Sequence, residues 1–242
     1  MTKLLINIDH VATLRNARGE LFPDPVKAAA VCEASGADGV VFHLREDRRH
    51  ITEADARALA RSARGKVDFE LSLAEEIVLI CLDVKPDLAT LVPERREELT
   101  TEGGLDVIAS SRRLSEVIPR FHAAGIAVSC FIEPDLRQID AVIACGAGAV
   151  EFHTGTYANA RDAAEREEEL QQLVVACTHA RSADLRIHAG HGLDYENYTP
   201  FKEAMPHLDE VSIGFAVIAR ALFDGLPSAV SAMAQLVKGV KT

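Results

Sequence analysis

Eight short aliphatic or β-branched runs recur along the 242 residues, with Ala-rich stretches of helical periodicity between them, which predicts an α/β chain of the (β/α)8 TIM-barrel class. Two further observations support that class. The alternation continues to the C-terminus without a Pro/Ser-rich linker or a low-complexity tract, so residues 1–242 are expected to form a single barrel domain. Eight βα units in this length also match the usual size of such barrels, about 250 residues.

The first strand is expected over LLINID (4–9), which ends in Asn7 and Asp9 with His10 directly after. PVKAAAVCEASG (25–36) is helical in spacing, with Gly36 where a helix should stop. GVVFHL (39–44) is the second strand, and EADARALARSARG (53–65) the next helix, opened by Thr52 and Asp55 in a capping-box pattern and closed by Gly65. VDFELS (67–72) and LATLV (88–92) follow. The polar stretch PERREELTTEGGLDVIASSRR (93–113) then intervenes, and its TTEGG (100–104) is a candidate lid. Gly125 precedes AVSCFI (127–132), and AVEFHTG (149–155), LRIHAG (185–190) and EVSIG (210–214) complete the set. The long stretch AAEREEELQQLVVACTHARSA (163–183) supplies a helix between the sixth and seventh strands.

The rival is an open doubly wound sheet, whose nucleotide site wants G-x-G-x-x-G directly after a strand. Here the first turn reads DHVATLRNARG. Gly146 and Gly148 precede a strand instead of following one, and after Gly190 and Gly192 the third glycine is replaced by Tyr195. The barrel is the better match.

Composition narrows the function. Hydrophobic residues make up 48% of the chain, enough for a substantial core. A net charge of −11 argues against non-specific nucleic-acid binding, which needs a basic face. The five cysteines (Cys32, Cys81, Cys130, Cys145, Cys177) form no C-x-x-C pair and read as small buried hydrophobes of a reducing cytoplasm. No basic-then-apolar leader opens the sequence, and apolar runs such as IVLICL are too short to span a bilayer, so a soluble cytoplasmic protein with no membrane partner is expected.

Barrel enzymes carry their chemistry at the carboxyl ends of the strands. Those ends read Asn7-Ile8-Asp9-His10, His43-Leu44-Arg45, Glu70, Glu151-Phe152-His153-Thr154 and His188-Ala189-Gly190-His191. A lone polar group at a strand end is more often a cap. A ring of them is costly unless its members satisfy one another or a ligand, at about 1–3 kcal/mol for each unpartnered group. In VDFELSL, strand alternation puts Val67, Phe69, Leu71 and Leu73 on one face and Asp68, Glu70 and Ser72 on the other. The apolar face suits the helices, which leaves Glu70 pointing into the barrel. His43 and His191 sit beside other polar groups and are the other acid–base candidates. His122, His179 and His207 lie in helical or loop stretches and are given no function.

HLREDRRHIT (43–52) packs Arg45, Arg48, Arg49 and His50 into one loop. Arg48 and Arg49 are expected to pair with Glu46 and Asp47. Arg45 and His50 flank the start of a helix, whose N-terminus suits anions, and Arg18 is expected to reach the same rim. HAGHGL (188–193) and SIGFA (212–216) are glycine-containing turns placed where this fold often holds a phosphate through backbone N–H groups. Two anion sites suggest a substrate pair or one bisphosphorylated substrate. The lysines (Lys3, Lys27, Lys66, Lys85, Lys202, Lys238, Lys241) fall away from the rim, so acid–base work rests on His and Glu.

NIDHVATLRNARG, HLREDRRHIT, VPERREELTTEGGLDV, EFHTG and HAGHGL, in this order and spacing, closely resemble the pyridoxine 5′-phosphate synthase family, essentially from end to end. That resemblance implies a (β/α)8 barrel with additional helices, assembled as a cytoplasmic homo-octamer. It implies a transferase-class condensation of 3-amino-2-oxopropyl phosphate with 1-deoxy-D-xylulose 5-phosphate, giving pyridoxine 5′-phosphate, phosphate and water, in vitamin B6 (pyridoxine) biosynthesis. No cofactor and no metal are implied. By resemblance His43 and Glu70 are acid–base catalysts, His191 a second proton donor or acceptor, and Glu151 a transition-state stabiliser. Asn7 would contact the amino ketone. Asp9, His10, Arg18, Arg45, His50 and Thr100 would hold the deoxyxylulose phosphate, and Gly192, Gly214 and Phe215 the other phosphate through their backbone. The sequence departs from the family pattern at Phe215, where His is usual, and at His188, where many members carry Asn.

Two other functions compete with this one. A metal-dependent barrel lyase or hydrolase would use His43, Glu70, Glu151 and His191 as ligands, although the first strand lacks the H-x-H pair typical of such hydrolases. A non-catalytic phosphosugar-binding barrel would bind without turnover.

Overall fold

A computed structural model of the chain describes residues 1–94, 103–205 and 207–239. In chain order its elements are β1 (Lys3–Asn7), α1 (Asp9–Asn16), α2 (Pro25–Ala34), β2 (Gly39–His43), α3 (Glu53–Ser62), β3 (Lys66–Leu71), α4 (Glu75–Val84) and β4 (Leu88–Leu91). They continue with α5 (Val107–Ala123), β5 (Ala127–Ile132), α6 (Leu136–Cys145), β6 (Ala149–His153), α7 (Gly155–Ala158) and α8 (Ala163–Ser182). The last are β7 (Arg186–Gly190), α9 (Tyr198–Ala204), β8 (Glu210–Ile213), α10 (Phe215–Asp224) and α11 (Leu226–Lys238).

Each strand pairs in parallel with its sequence neighbours, and β8 closes onto β1, so the sheet is an eight-stranded TIM barrel. No sheet edge is left for another chain to pair with. The strands form where the sequence places them, ending one or two residues earlier at several carboxyl ends. At β1 the difference has a clear cause: α1 begins at Asp9, immediately after the strand. This helix has no side-chain N-cap. It is held instead by Arg15, whose guanidinium makes two hydrogen bonds to Asp55 at 2.8 and 2.9 Å and a third to the His50 carbonyl at 3.2 Å.

The other helix starts obey local rules. Asp24, Asp106, Asp135 and Asp162 accept backbone N–H groups of α2, α5, α6 and α8, and Thr52 and Asp55 form the expected capping box on α3. Gly36 and Gly125 follow α2 and α5 with positive φ, as helix stops should. Gly65 serves a different purpose. A Cβ there would meet the Asp38 carbonyl oxygen at 2.5 Å, so the glycine allows β3 to enter close beside β2.

Alternation sorts the barrel into two environments. Outward residues such as Leu4, Ile6, Phe42, Phe69, Val128 and Phe152 pack against the helices in one core, with the Phe42 and Phe69 rings 4.9 Å apart between centroids. The inward layers are far more polar than the branched aliphatic filling usual for this fold. Asp68, Glu70, Thr90, Ser129, Glu151, His188 and Glu210 are all buried. At the amino end, Lys66 reaches Glu210 at 2.7 and 2.8 Å, and Thr90 donates to Asp68 at 2.8 Å. No described helix is long and apolar enough to cross a membrane.

Candidate active site

The carboxyl ends of β1, β2 and β3 build one half of the rim. Asn7 Oδ1 accepts the backbone N–H of Asp9 at 2.9 Å, which turns the chain into α1. The Asp9 carboxylate accepts the His43 backbone N–H at 2.9 Å and stands 3.6 Å from His50 Nδ1. His43 lies opposite Glu70 in the β2–β3 register, and its ring is 5.9 Å from that of His50. Arg45 is the largest fully buried side chain, with Nε 3.8 Å from Asp47 Oδ1. Burial pushes the His50 imidazole below its ordinary value against the pull of Asp9, and it lowers His10 in the same way.

Glu70 and Glu151 face each other's charge inside the barrel. Burial pushes Glu70 well above the ordinary carboxylate range, and the nearby Glu151, Asp9 and Asp68 push it further. Burial does the same to Glu151, with Asp68 and Glu210 adding to it and Lys66 opposing. Two such carboxyls cannot both ionise cheaply, so the site favours keeping a proton on the pair. Glu151 Oε1 is buried without a hydrogen-bond partner, and it lies where a side chain at position 190 would start: a Cβ on Gly190 would be 2.2 Å from it.

The ends of β6, β7 and β8 build the other half. His191 has a positive φ of 72°, unusual for a residue with a side chain, and is held there by Thr154, whose hydroxyl donates to the carbonyls of Gly190 and His191. Burial, with His153 and His43 nearby, pushes its imidazole down to about 3, so it is neutral at physiological pH. Its ring lies tilted against Phe131 at 4.5 Å between centroids and meets His153 edge-on at 5.7 Å. His153 Nδ1 is 2.8 Å from Glu133, which also accepts the Gly104 N–H at 2.9 Å. Gly192 follows with φ 82°. Gly214 sits directly on Asn7, where a Cβ would fall 2.9 Å from the Asn7 Cβ. It opens α10, and the Phe215 ring, 70% exposed, lies edge-on to His10 at 5.5 Å.

The rim thus brings together Asn7, Asp9, His10, His43, Arg45, His50, Glu70, Glu151, His191, Gly192, Gly214 and Phe215. Arg18 is exposed on the turn after α1, and Thr100 lies outside the described residues, as do Thr101 and Glu102 of TTEGG. Arg49 pairs with Asp47 as expected, whereas Arg48 bonds the Glu46 carbonyl and reaches Glu53 and Glu76. The start of α3 is less open to an anion than its position suggests, because the capping box occupies its first amides and Glu53 and Asp55 sit in its first turn. Among the described residues no three His, Cys, Asp or Glu side chains are placed to hold a metal ion together.

Sequence reasoning missed two rim carboxylates, Glu94 and Glu133. Each is the first acidic residue after its strand, β4 or β5, so the position-based argument used for the other strands was sufficient to find them. Arg15 and Asn16, which both bond the His50 carbonyl, gave no such signal because their partners are some 35 residues away.

The arrangement combines neutral imidazoles, carboxyls of raised proton affinity, a buried guanidinium and glycine turns. Such a set can move protons in both directions and hold anions. Comparison with known proteins converges on one family. Residues 4–239 match the family model described as pyridoxal phosphate biosynthesis protein PdxJ. The chain is 62% identical over 234 residues to a pyridoxine 5′-phosphate synthase of Salinibacter ruber, covering 96% of each chain. It is 50% identical over 228 residues to one of Photobacterium profundum, covering 94% of this chain and 93% of that one. Among solved structures, a tryptophan synthase from M. tuberculosis superimposes with a TM-score of 0.62 at 11% identity, over 98% of this chain and 93% of that one, a likeness of fold alone. On its sequence from end to end, this chain belongs to the pyridoxal phosphate biosynthesis protein PdxJ family.

Proposed function

We propose that the chain acts as a pyridoxine 5′-phosphate synthase, condensing 3-amino-2-oxopropyl phosphate with 1-deoxy-D-xylulose 5-phosphate to pyridoxine 5′-phosphate, inorganic phosphate and water. The observation that carries this is the end-to-end match at 62% identity to a protein of that name. The grouping of Glu70, Glu151, His43 and His191 at one barrel mouth supports the chemistry.

The amine of one substrate attacks the ketone of the other, so the imine forms between substrates and no enzyme lysine is required. Lys66, the lysine inside the barrel, is engaged with Glu210 at the opposite end. The later steps are enamine formation, phosphate loss, water addition and ring closure by aldol dehydration, and each needs protons delivered and removed at fixed points. Glu70 is suited to both tasks because its raised proton affinity brings its titration toward neutral pH. His43 beside it is the partner base, and neutral His191 serves the far side. Glu151 stabilises the developing charge. Asn7 contacts the amino ketone. Arg45, His50, Asp9, His10, Arg18 and Thr100 hold the deoxyxylulose phosphate. The backbones of Gly192, Gly214 and Phe215 hold the other phosphate, at the uncapped start of α10.

The reading extends to a cytoplasmic homo-octamer. The large apolar side chains exposed on α10 and before α2, Phe223 at 89% and Leu21 at 91% among them, support self-association. Light scattering of the purified protein tests it, and a monomer would refute it. The activity is tested by incubating chelator-treated protein with both phosphorylated substrates while following pyridoxine 5′-phosphate by chromatography and phosphate by a colour assay. Equal appearance of both products is expected. Binding of one substrate without either product would remove the catalytic assignment.

A further inference from the structure

Glu94, three residues past the end of β4 at Leu91, reaches across the rim to His43 on β2. Its Oε1 is 2.9 Å from His43 Nε2, and its Oε2 accepts the backbone N–H of Glu46 at 3.0 Å. Both partners are nearly sealed from solvent, with side chains 4% and 7% exposed. Glu46 is itself fixed by the Ser72 hydroxyl, which donates to its carboxylate at 2.9 Å. The carboxylate therefore has each oxygen committed, one to a backbone amide and one to the imidazole. On its other side His43 is tied down through its main chain, whose N–H donates to Asp9 at 2.9 Å.

We propose that Glu94 is a positioning residue for the condensation: it fixes the His43 ring and its tautomer, so that Nε2 carries the hydrogen and Nδ1 is the nitrogen that exchanges protons with the substrate. This rests on the synthase reading given above. The chemical reason is that an ionised carboxylate can only accept hydrogen bonds, so the imidazole nitrogen facing it must donate. Burial pushes Glu94 up, but the His43 hydrogen bond and charge, the Glu46 amide and Arg45 outweigh it and hold the carboxyl below its ordinary range, in the ionised form. When Nδ1 takes a proton from the substrate, the new N–H bond makes an imidazolium. Its positive charge then faces Glu94, and the same Nδ1 returns the proton at a later step. Asp9, His50 and Arg45 on the β1–α1 and β2–α3 junctions, and Glu70 on β3, complete the charged surroundings of the ring.

The test combines kinetics with a spectroscopic reading of the ring nitrogens. For Glu94→Ala, kcat should fall about tenfold to a hundredfold, a part of the 10²–10⁴ that a positioned acid–base group supplies, with KM for both substrates unchanged. Glu94→Gln, which keeps an acceptor oxygen, should recover part of that loss. In a His43→Ala background, Glu94→Ala should cost nothing further, because it acts through the missing ring. Wild-type kcat in Glu94→Ala, or losses that multiply in the double variant, would overturn the proposal. Long-range ¹H–¹⁵N spectra of ¹⁵N-histidine-labelled protein, with His43 assigned by its absence in His43→Ala, decide the matter independently of turnover. Protonated Nε2 and bare Nδ1 in the wild type, giving way to a tautomer mixture in Glu94→Ala, are expected. A His43 signal with the proton on Nδ1, or one that Glu94→Ala leaves unchanged, would overturn the proposal even if the synthase assay itself failed.

Discussion

The two ends of the barrel interior bury the same kinds of group and treat them differently. At the amino-end floor, Glu210 has Lys66 at 2.7 Å and Asp68 has the Thr90 hydroxyl at 2.8 Å, so the chain answers its own carboxylates. At the rim, Glu70 and Glu151 are surrounded by further carboxylates, and Glu151 Oε1 has no hydrogen-bond partner. A buried polar group without a partner costs on the order of 1–3 kcal/mol, more if charged. The floor thus spends its polarity on holding the barrel closed. At the rim Glu151 lacks such a partner and Glu70 has like charges about it, which leaves both available to a ligand. For these four carboxyls burial and residue type do not distinguish the two ends; the presence of a cation or hydroxyl partner does.

If that contrast is right, changes at the rim should cost turnover, and changes at the floor should cost stability. The largest effect is expected for Glu70→Gln. It keeps the shape and removes the titrating proton, so turnover should fall about 10²–10⁴-fold while deoxyxylulose phosphate still binds. Single-turnover kinetics beside calorimetric binding checks this, and near-normal kcat would place Glu70 with the floor residues. Lys66→Met should do the opposite. It leaves Glu210 buried without its cation, a loss of about 3–5 kcal/mol that denaturant unfolding would register. In protein that remains folded, kcat should change little. A large fall in kcat with an unchanged unfolding midpoint would erase the distinction between the two ends.

The sequence made the rim more legible than the floor, and for a physical reason. Strand position and period-2 alternation locate a side chain along and around the barrel, which is enough to place Glu70, His43, Glu151 and His191 at one mouth. Alternation also turned Asp68 inward, but nothing local says that Thr90, on the next strand, will donate to it, or that Lys66 will find Glu210 at the far end of the chain. Those pairings depend on barrel stagger and closure. Glu94 was within reach of the same positional argument, as the first acidic residue after β4, whereas α1 was not, because it starts without a cap and relies on Arg15 reaching Asp55.

A smaller effect sharpens the floor half of the comparison through pH. Burial pushes the Asp68 carboxyl up to about 7, with Glu210 adding to it and Lys66 and Thr90 opposing. Its value in the unfolded chain is about 3.9. Between those two values the unfolded state has lost the proton that the folded state retains, so stability falls as pH rises from about 4 to 7 and is flat beyond. Asp68→Asn, still able to accept from Thr90, removes this pH dependence. Relative to wild type it should gain stability across that window, by up to about 4 kcal/mol and less to the extent that the Lys66 attraction is also lost. Unfolding midpoints of both proteins at pH 4.5 and 8 provide the measurement. A difference independent of pH would mean that Asp68 is ionised in the folded barrel, and that the floor is better compensated than the rim by more than this contrast requires.

The smallest effect is expected at Phe215, the first residue of α10. Its ring is largely exposed and touches His10 edge-on at 5.5 Å, so little apolar area is lost on replacement by an imidazole of similar shape. Stability of Phe215→His should stay within about 0.5 kcal/mol of wild type, as for other exposed substitutions. In the proposed function the phosphate at this turn is held by backbone N–H groups that any side chain leaves in place, so KM for the amino ketone should at most improve, through one added hydrogen bond. Steady-state kinetics against that substrate settles it. A KM raised tenfold would mean that the phenyl ring shapes the phosphate turn, and that this part of the rim, like the floor, depends on a partner within the chain.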